Sequence, residues 1–184
     1  KYQCLPIAWD TNKKRWFDMA EMVYQPEDLK PESWFYWTNQ SQNWNGMCAE
    51  CHSTNLQKNY NLENDSFNTT WSDIDVNCEA CHGPGSEHLD WAKLPDGARD
   101  YDGNMGLVLK TSGTTSKQFI DSCAPCHSRR TSFGPNYHAE SEYYNNHRPQ
   151  NISPPLYYSD GQILDEDYEF GSFTQSKMYI NDVK

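Results

Sequence analysis

Six of the seven cysteines fall into three pairs of identical spacing, each followed at once by a histidine. The runs are Cys48-Ala49-Glu50-Cys51-His52, Cys78-Glu79-Ala80-Cys81-His82 and Cys123-Ala124-Pro125-Cys126-His127. Two thiols three positions apart can reach the two vinyl groups of one porphyrin and form thioethers, and the adjoining imidazole then lies under the iron as an axial ligand. The expected chemistry is covalent attachment of three c-type haems, with Cys48, Cys51, Cys78, Cys81, Cys123 and Cys126 as attachment residues. His52, His82 and His127 are the expected proximal iron ligands. Zinc fits poorly. Ribbon sites pair two C-x-x-C units about 15–20 residues apart, whereas 26 and 41 residues separate the units here and the third has no mate. A thioredoxin-like redox site needs one C-x-x-C in a βαβ setting, which none of these segments provides.

Three further histidines, His88, His138 and His147, match the three irons one for one. They are the expected distal ligands, giving bis-histidine, low-spin haems. His88 follows His82 by six residues across Gly83-Pro84-Gly85-Ser86. Six residues span at most about 20 Å when extended, and the Gly-Pro-Gly turn shortens that, so His88 is expected to serve a neighbouring haem, the one on Cys48 and Cys51. His138 and His147 would serve the other two in either order. Methionine as sixth ligand would raise the potential, but Met19, Met22, Met47, Met105 and Met178 bear no patterned relation to the motifs and read as packing residues. Cys4 reads as a small buried hydrophobe in an N-terminal strand, with an intermolecular disulfide as the other reading. Arg129, Arg130 and Arg148 are candidate partners for haem propionates. The acidic stretch from Asp160 to Glu169 lacks EF-hand spacing; it reads as a solvated face, with a calcium site as the lesser alternative.

Short elements must position these groups. Tyr2 to Trp9 and Arg15 to Met19 read as strands of a hairpin around Asp10-Thr11-Asn12-Lys13. Trp34-Phe35-Tyr36-Trp37 is expected to pack on a porphyrin face. Each motif is expected to end a short helix, starting at Ser41, Ser72 and Ser116. Ser86 would cap another helix through His88 and Trp91. Residues 94–115 read as a surface loop and 128–155 as irregular, with Pro149, Pro154 and Pro155. The expected fold is a multihaem cytochrome c: mostly short α-helices and irregular loops wrapped around stacked haems, with a small N-terminal β-hairpin. Its segments are 1–47 (strands and aromatics), 48–147 (trihaem core) and 148–184 (C-terminal wrapping), expected to act as one cooperative unit.

Composition sharpens this. Leu, Ile, Val and Phe number 27 of 184 residues and the formal net charge is −11, a pairing that usually marks disorder because too little apolar surface offsets chain entropy. Aromatic content of 14% argues the other way. Three macrocycles would supply the missing core, so the haem-free chain is expected to be unfolded. A sequence pI near 4.8 argues against nucleic acid and anionic membrane surfaces as partners. No apolar run approaches the length of a membrane-spanning helix. Haem attachment of this kind occurs outside the cytoplasm, which places the chain in the periplasm or outside the cell. Lys1-Tyr2-Gln3-Cys4 carries neither an initiator Met nor a signal peptide, as expected of a processed product or a fragment.

Leu5-Pro6-Ile7-Ala8-Trp9-Asp10, the run from Gln42 to Asn55 around the first motif, the run from Cys78 to His88, Asp160 to Asp165 and Gly171 to Met178 resemble bacterial multihaem c-type cytochromes. The group is the cytochrome c-552/4-like one, often linked to tetratricopeptide repeats and distant kin of the pentahaem nitrite reductase and hydroxylamine oxidoreductase superfamily. The resemblance implies stacked, mostly bis-histidine haems, export and electron transfer. Members usually carry further haem motifs on both sides, which implies an internal stretch of a longer cytochrome or a trimmed trihaem version. Reductases of the superfamily often carry C-x-x-C-K, which does not occur here, so a catalytic role does not transfer. The expected function is electron transfer, with other multihaem cytochromes as partners and self-assembly as a further possibility. Two alternatives stand beside it: an oxidoreductase acting on a small nitrogen or sulfur oxyanion at a five-coordinate haem, and a protomer of an extracellular cytochrome filament.

Overall fold

The computed structural model describes residues 1–110, 112–134, 141–164 and 168–183, apart from the side chains of Glu27 and Asp28. It divides into two compact units, Lys1–Ile74 and Asp75–Lys184, so the first C-x-x-C-H motif lies in one and the other two motifs in the second.

In the first unit, β1 (Ile7–Asp10) and β2 (Arg15–Asp18) form the expected antiparallel hairpin, with Trp9 opposite Trp16. The Asp10 carboxylate accepts from the backbone N–H groups of Asn12 and Lys13 at 3.0 and 2.9 Å and so shapes the turn. The first strand is shorter than the sequence suggests. Residues 2–4 instead run beside 42–44: Cys4 N donates to Gln42 O at 2.8 Å and Trp44 N to Tyr2 O at 2.9 Å. A short helix α1 (Ala20–Val23) and a two-residue-strand hairpin, β3 (Tyr60–Asn61) with β4 (Ser66–Phe67), complete the unit. Ala20 and Ala49 are its buried apolar residues among those described. Its interior is otherwise polar: Asn45, 2% exposed, accepts from Tyr2 N at 2.6 Å and donates to Thr69 Oγ1 at 2.9 Å.

The second unit is more helical, with α2 (Cys78–His82), α3 (Ser86–Lys93), α4 (Ser116–His127), α5 (Tyr143–Asn146), α6 (Glu169–Thr174) and α7 (Lys177–Ile180). Ala124, Tyr143 and Phe170 form a small buried cluster with Ile120 against it. Residues 128–155, expected to be irregular, hold a hairpin: β5 (Arg130–Ser132) pairs antiparallel with β6 (His147–Pro149), and α5 leads into the second strand.

The helix starts need correction. Only the third motif ends a helix of several turns, and its cap is Thr115, whose hydroxyl accepts from Gln118 N while the Gln118 side chain accepts from Thr115 N. The second motif is itself the helix, started by Asn77, whose side chain accepts from Glu79 N. Asp73 and Asp75 lie between Ser72 and that start, and Ser72 is used elsewhere: its N–H donates to Thr54 O at 2.9 Å. The first motif forms a single 3-10 turn, Cys48–Glu50, with no helix running from Ser41. Helix α3 forms as expected, but Gly85 occupies its cap position and no side chain caps it.

Candidate haem sites

Around the first motif, backbone and amide hydrogen bonds do the positioning. Gly46 N donates to the Asn43 side chain at 2.7 Å, Ala49 N to Trp44 O at 2.9 Å, and the Ser53 hydroxyl to Ala49 O. Glu50 is held by Lys58 at 2.8 Å. Cys4, half-buried and not in the strand expected for it, has its sulfur 3.6 Å from that of Cys48. Burial, then the neighbouring Cys4 thiol, pushes the Cys48 thiol up to about 11. Cys4 also lines a hollow of about 300 Å³ walled by Met19, Val23, Tyr24, Phe35 and Trp37. An apolar hollow is therefore lined by the cysteine whose sulfur neighbours that of Cys48. His52 is exposed.

The second and third motifs share one unit. The Cys81 thiol is raised first by burial and then by the nearby thiols of Cys123 and Cys78, so thiols of the two motifs lie within electrostatic reach of each other. Gly83, with φ +75°, ends α2 directly after His82, and a Cβ there would stand 3.2 Å from the Val108 side chain. His82 Nδ1 is buried and has no hydrogen-bond partner among the described residues.

His88 is fixed by contacts that sequence reasoning did not foresee. Its Nδ1 lies 2.7 Å from Met105 O. A carbonyl oxygen only accepts, so Nδ1 carries the hydrogen and Nε2 keeps its lone pair, the tautomer of an imidazole able to bind a metal through Nε2. The ring is stacked on Trp91, with centroids 5.5 Å apart. Gly106, with φ +72°, lets the loop come this close: a Cβ there would be 2.5 Å from Glu87 O. The described residues of the 94–115 segment form the expected loop apart from a 3-10 turn at Asp96–Ala98, and the stretch from Met105 to Leu109 packs on the end of α2 and the start of α3. The signal available in the sequence was the glycine in Asn104-Met105-Gly106.

His147 is 1% exposed and stacks on Tyr143 at 5.1 Å. The Ser128 hydroxyl donates to Ala124 O at 2.6 Å and so receives the Tyr143 hydroxyl hydrogen at 2.5 Å, which ties His147 to the end of the third motif. His127 Nδ1 lies 3.1 Å from a Glu169 carboxylate oxygen. His138 lies outside the described residues, as do Asp165, Glu166 and Asp167 of the acidic stretch. Among the described residues, no group of three or more His, Cys, Asp or Glu side chains is arranged to hold a metal ion, and no helix is long and apolar enough to cross a membrane.

The polypeptide leaves a large surface open. Its accessible area is 12870 Å², against about 11,000 Å² for two separate compact units of these sizes. Five of the seven tryptophans are exposed: Trp9, Trp16, Trp34, Trp37 and Trp71. Trp34, Phe35 and Trp37, expected as core, are 49%, 40% and 40% exposed in the polypeptide alone. The exposed aromatics, the three C-x-x-C-H motifs and the fixed His88 tautomer fit covalently bound haem. Comparison with curated proteins and with solved structures gives no match. Residues 9–83 match the family model described as cytochrome c554 and c-prime, a stretch that takes in the first two motifs and supports a c-type cytochrome family for this chain.

Proposed function

We propose that the chain transfers electrons through three c-type haems, one on each motif, in the periplasm or outside the cell. The haems supply reversible one-electron chemistry at iron. The polypeptide holds them by thioethers from Cys48, Cys51, Cys78, Cys81, Cys123 and Cys126, and ligates them with His52, His82 and His127. His88, His138 and His147 are the distal ligands in this reading, and the Nδ1–H of His88 on Met105 O supports it for the first of these. The second and third motifs lie in one compact unit, Asp75–Lys184, which supports short separations between their haems.

The observation that carries the proposal is the threefold C-x-x-C-H spacing on a chain that leaves its aromatics open. Redox partners, other multihaem cytochromes by the resemblance above, would meet a strongly acidic surface, since six propionates would add to a formal charge of −11. Electron paramagnetic resonance of the exported protein tests the reading. Three low-spin ferric haems unperturbed by nitrite or hydroxylamine are expected. A high-spin component that binds either ligand would replace this reading with an oxidoreductase.

A further inference from the structure

The three proximal histidines sit in different surroundings. Glu50 of the first motif is engaged by Lys58 at 2.8 Å. Glu79 of the second accepts from Gly85 N at 2.8 Å, and His82 Nδ1 is buried with no hydrogen-bond partner among the described residues. The third motif has Ala124-Pro125 between its cysteines and carries no acid of its own. A carboxylate reaches it from another helix. Phe170, 8% exposed, packs α6 against Ala124 of α4 and Tyr143 of α5. Glu169, the preceding residue and the first of α6, is thereby placed with its carboxylate 3.1 Å from His127 Nδ1, at the end of α4.

We propose that Glu169 is a positioning residue that tunes the third haem, accepting the Nδ1 hydrogen of His127 and making that haem the lowest in potential of the three. The inference rests on the reading of Cys123, Cys126 and His127 as a haem site. A carboxylate accepts the hydrogen bond, so His127 carries its hydrogen on Nδ1 and presents Nε2 to the iron. The bond also fixes the plane of the ring. It pushes electron density into the imidazole, strengthens its donation and so favours the ferric state; the carboxylate charge acts in the same direction. In the polypeptide alone the two side chains are 64% and 68% exposed, where such a pair is weak. A porphyrin lying over His127 would remove water from one side of the bond and strengthen it.

The test is a potentiometric titration of the intact three-haem protein beside Glu169→Ala, Glu169→Gln and, as a control in the first unit, the exposed Glu63→Gln. In Glu169→Ala the lowest of the three midpoints should rise while the other two stay in place. Glu169→Gln keeps an acceptor without the charge and should rise less. Glu63→Gln should move none. A haem count and melting temperature equal to wild type, together with altered low-spin g-values for one haem, would separate tuning from a merely structural role. Unchanged midpoints in Glu169→Ala, or equal shifts in all three, would overturn the proposal. A mass measurement of the peptide containing Cys123 to His127 comes first, because absence of haem there would overturn the three-haem reading itself and this inference with it.

Discussion

The two units hold their motifs by different means. In the first, the frame around Cys48 and Cys51 is made of backbone and asparagine hydrogen bonds, and its buried apolar residues among those described are two alanines, Ala20 and Ala49. In the second, the frame around Cys123 and Cys126 is a capped helix of 12 residues packed on Tyr143 and Phe170. Hydrogen bonds give direction but little net stability, about 1 kcal/mol each, whereas burying a large side chain contributes about 1.5–3 kcal/mol. If the first motif carries a haem as proposed, the first unit should depend on it for cohesion. The second has a residual core of its own.

The largest expected effect follows from this contrast. Cys48→Ala with Cys51→Ala, in a protein still carrying its other two haems, should abolish cooperative folding of residues 1–74 while residues 75–184 stay protected, read by limited proteolysis with mass spectrometry. Equal protection of both units would break the comparison. Gly106→Ala comes next. Its Cβ would meet Glu87 O at 2.5 Å in a left-handed backbone, so about 3 kcal/mol of stability should be lost. Displacement of Met105 O should also free His88 to turn, giving one high-spin haem by magnetic circular dichroism. Asn45→Ala should cost about 2 kcal/mol, because it strips partners from Tyr2 N and Thr69 in the coreless unit; a denaturant titration measures it.

Smaller effects sharpen the same contrast. Tyr143→Phe removes one buried hydroxyl that donates to Ser128 but keeps the ring on His147 and Phe170. A loss of about 1 kcal/mol is expected, confined to the second unit. The smallest effect is pH-dependent. The Asp65 carboxyl is held below the usual range first by the Lys1 ammonium and then by the Tyr60 hydroxyl. Because the folded state lowers this pKa, the pair's contribution is present above the ordinary aspartate range and is lost as pH falls through the lowered value. Asp65→Asn should lower the first unit's stability slightly at neutral pH and leave it unchanged in acid, where the carboxyl is already protonated, so the acid limb flattens.

What was legible in the sequence was set by chemistry that acts at fixed spacing. The hairpin turn on Asp10, helix α3 and the start of α4 within a residue all follow from local signals. The misreadings arise where several local signals compete. Ser41, Ser72 and Ser86 are all acceptable caps, but Asn77 and Gly85 hold the cap positions of α2 and α3, and the first motif has no α-helix to cap. Pairing at a distance was illegible in principle. No spacing in the sequence announces that Met105 O would fix His88, that β5 would pair with β6, or that Glu169 would reach His127 from 42 residues away. Composition, by contrast, was informative because it was deficient: the small share of aliphatic residues reappears as exposed tryptophans and an open surface of 12870 Å².

The central claim is that three covalent haems supply the core that the polypeptide lacks. The most direct measurement is the intact mass of the exported protein under denaturing conditions, followed by assignment of the modified peptides. The account predicts the polypeptide plus three haems, with every haem on a peptide containing one of the three C-x-x-C-H motifs. A folded protein with the mass of the bare chain, or with any motif carrying two free thiols, would contradict it.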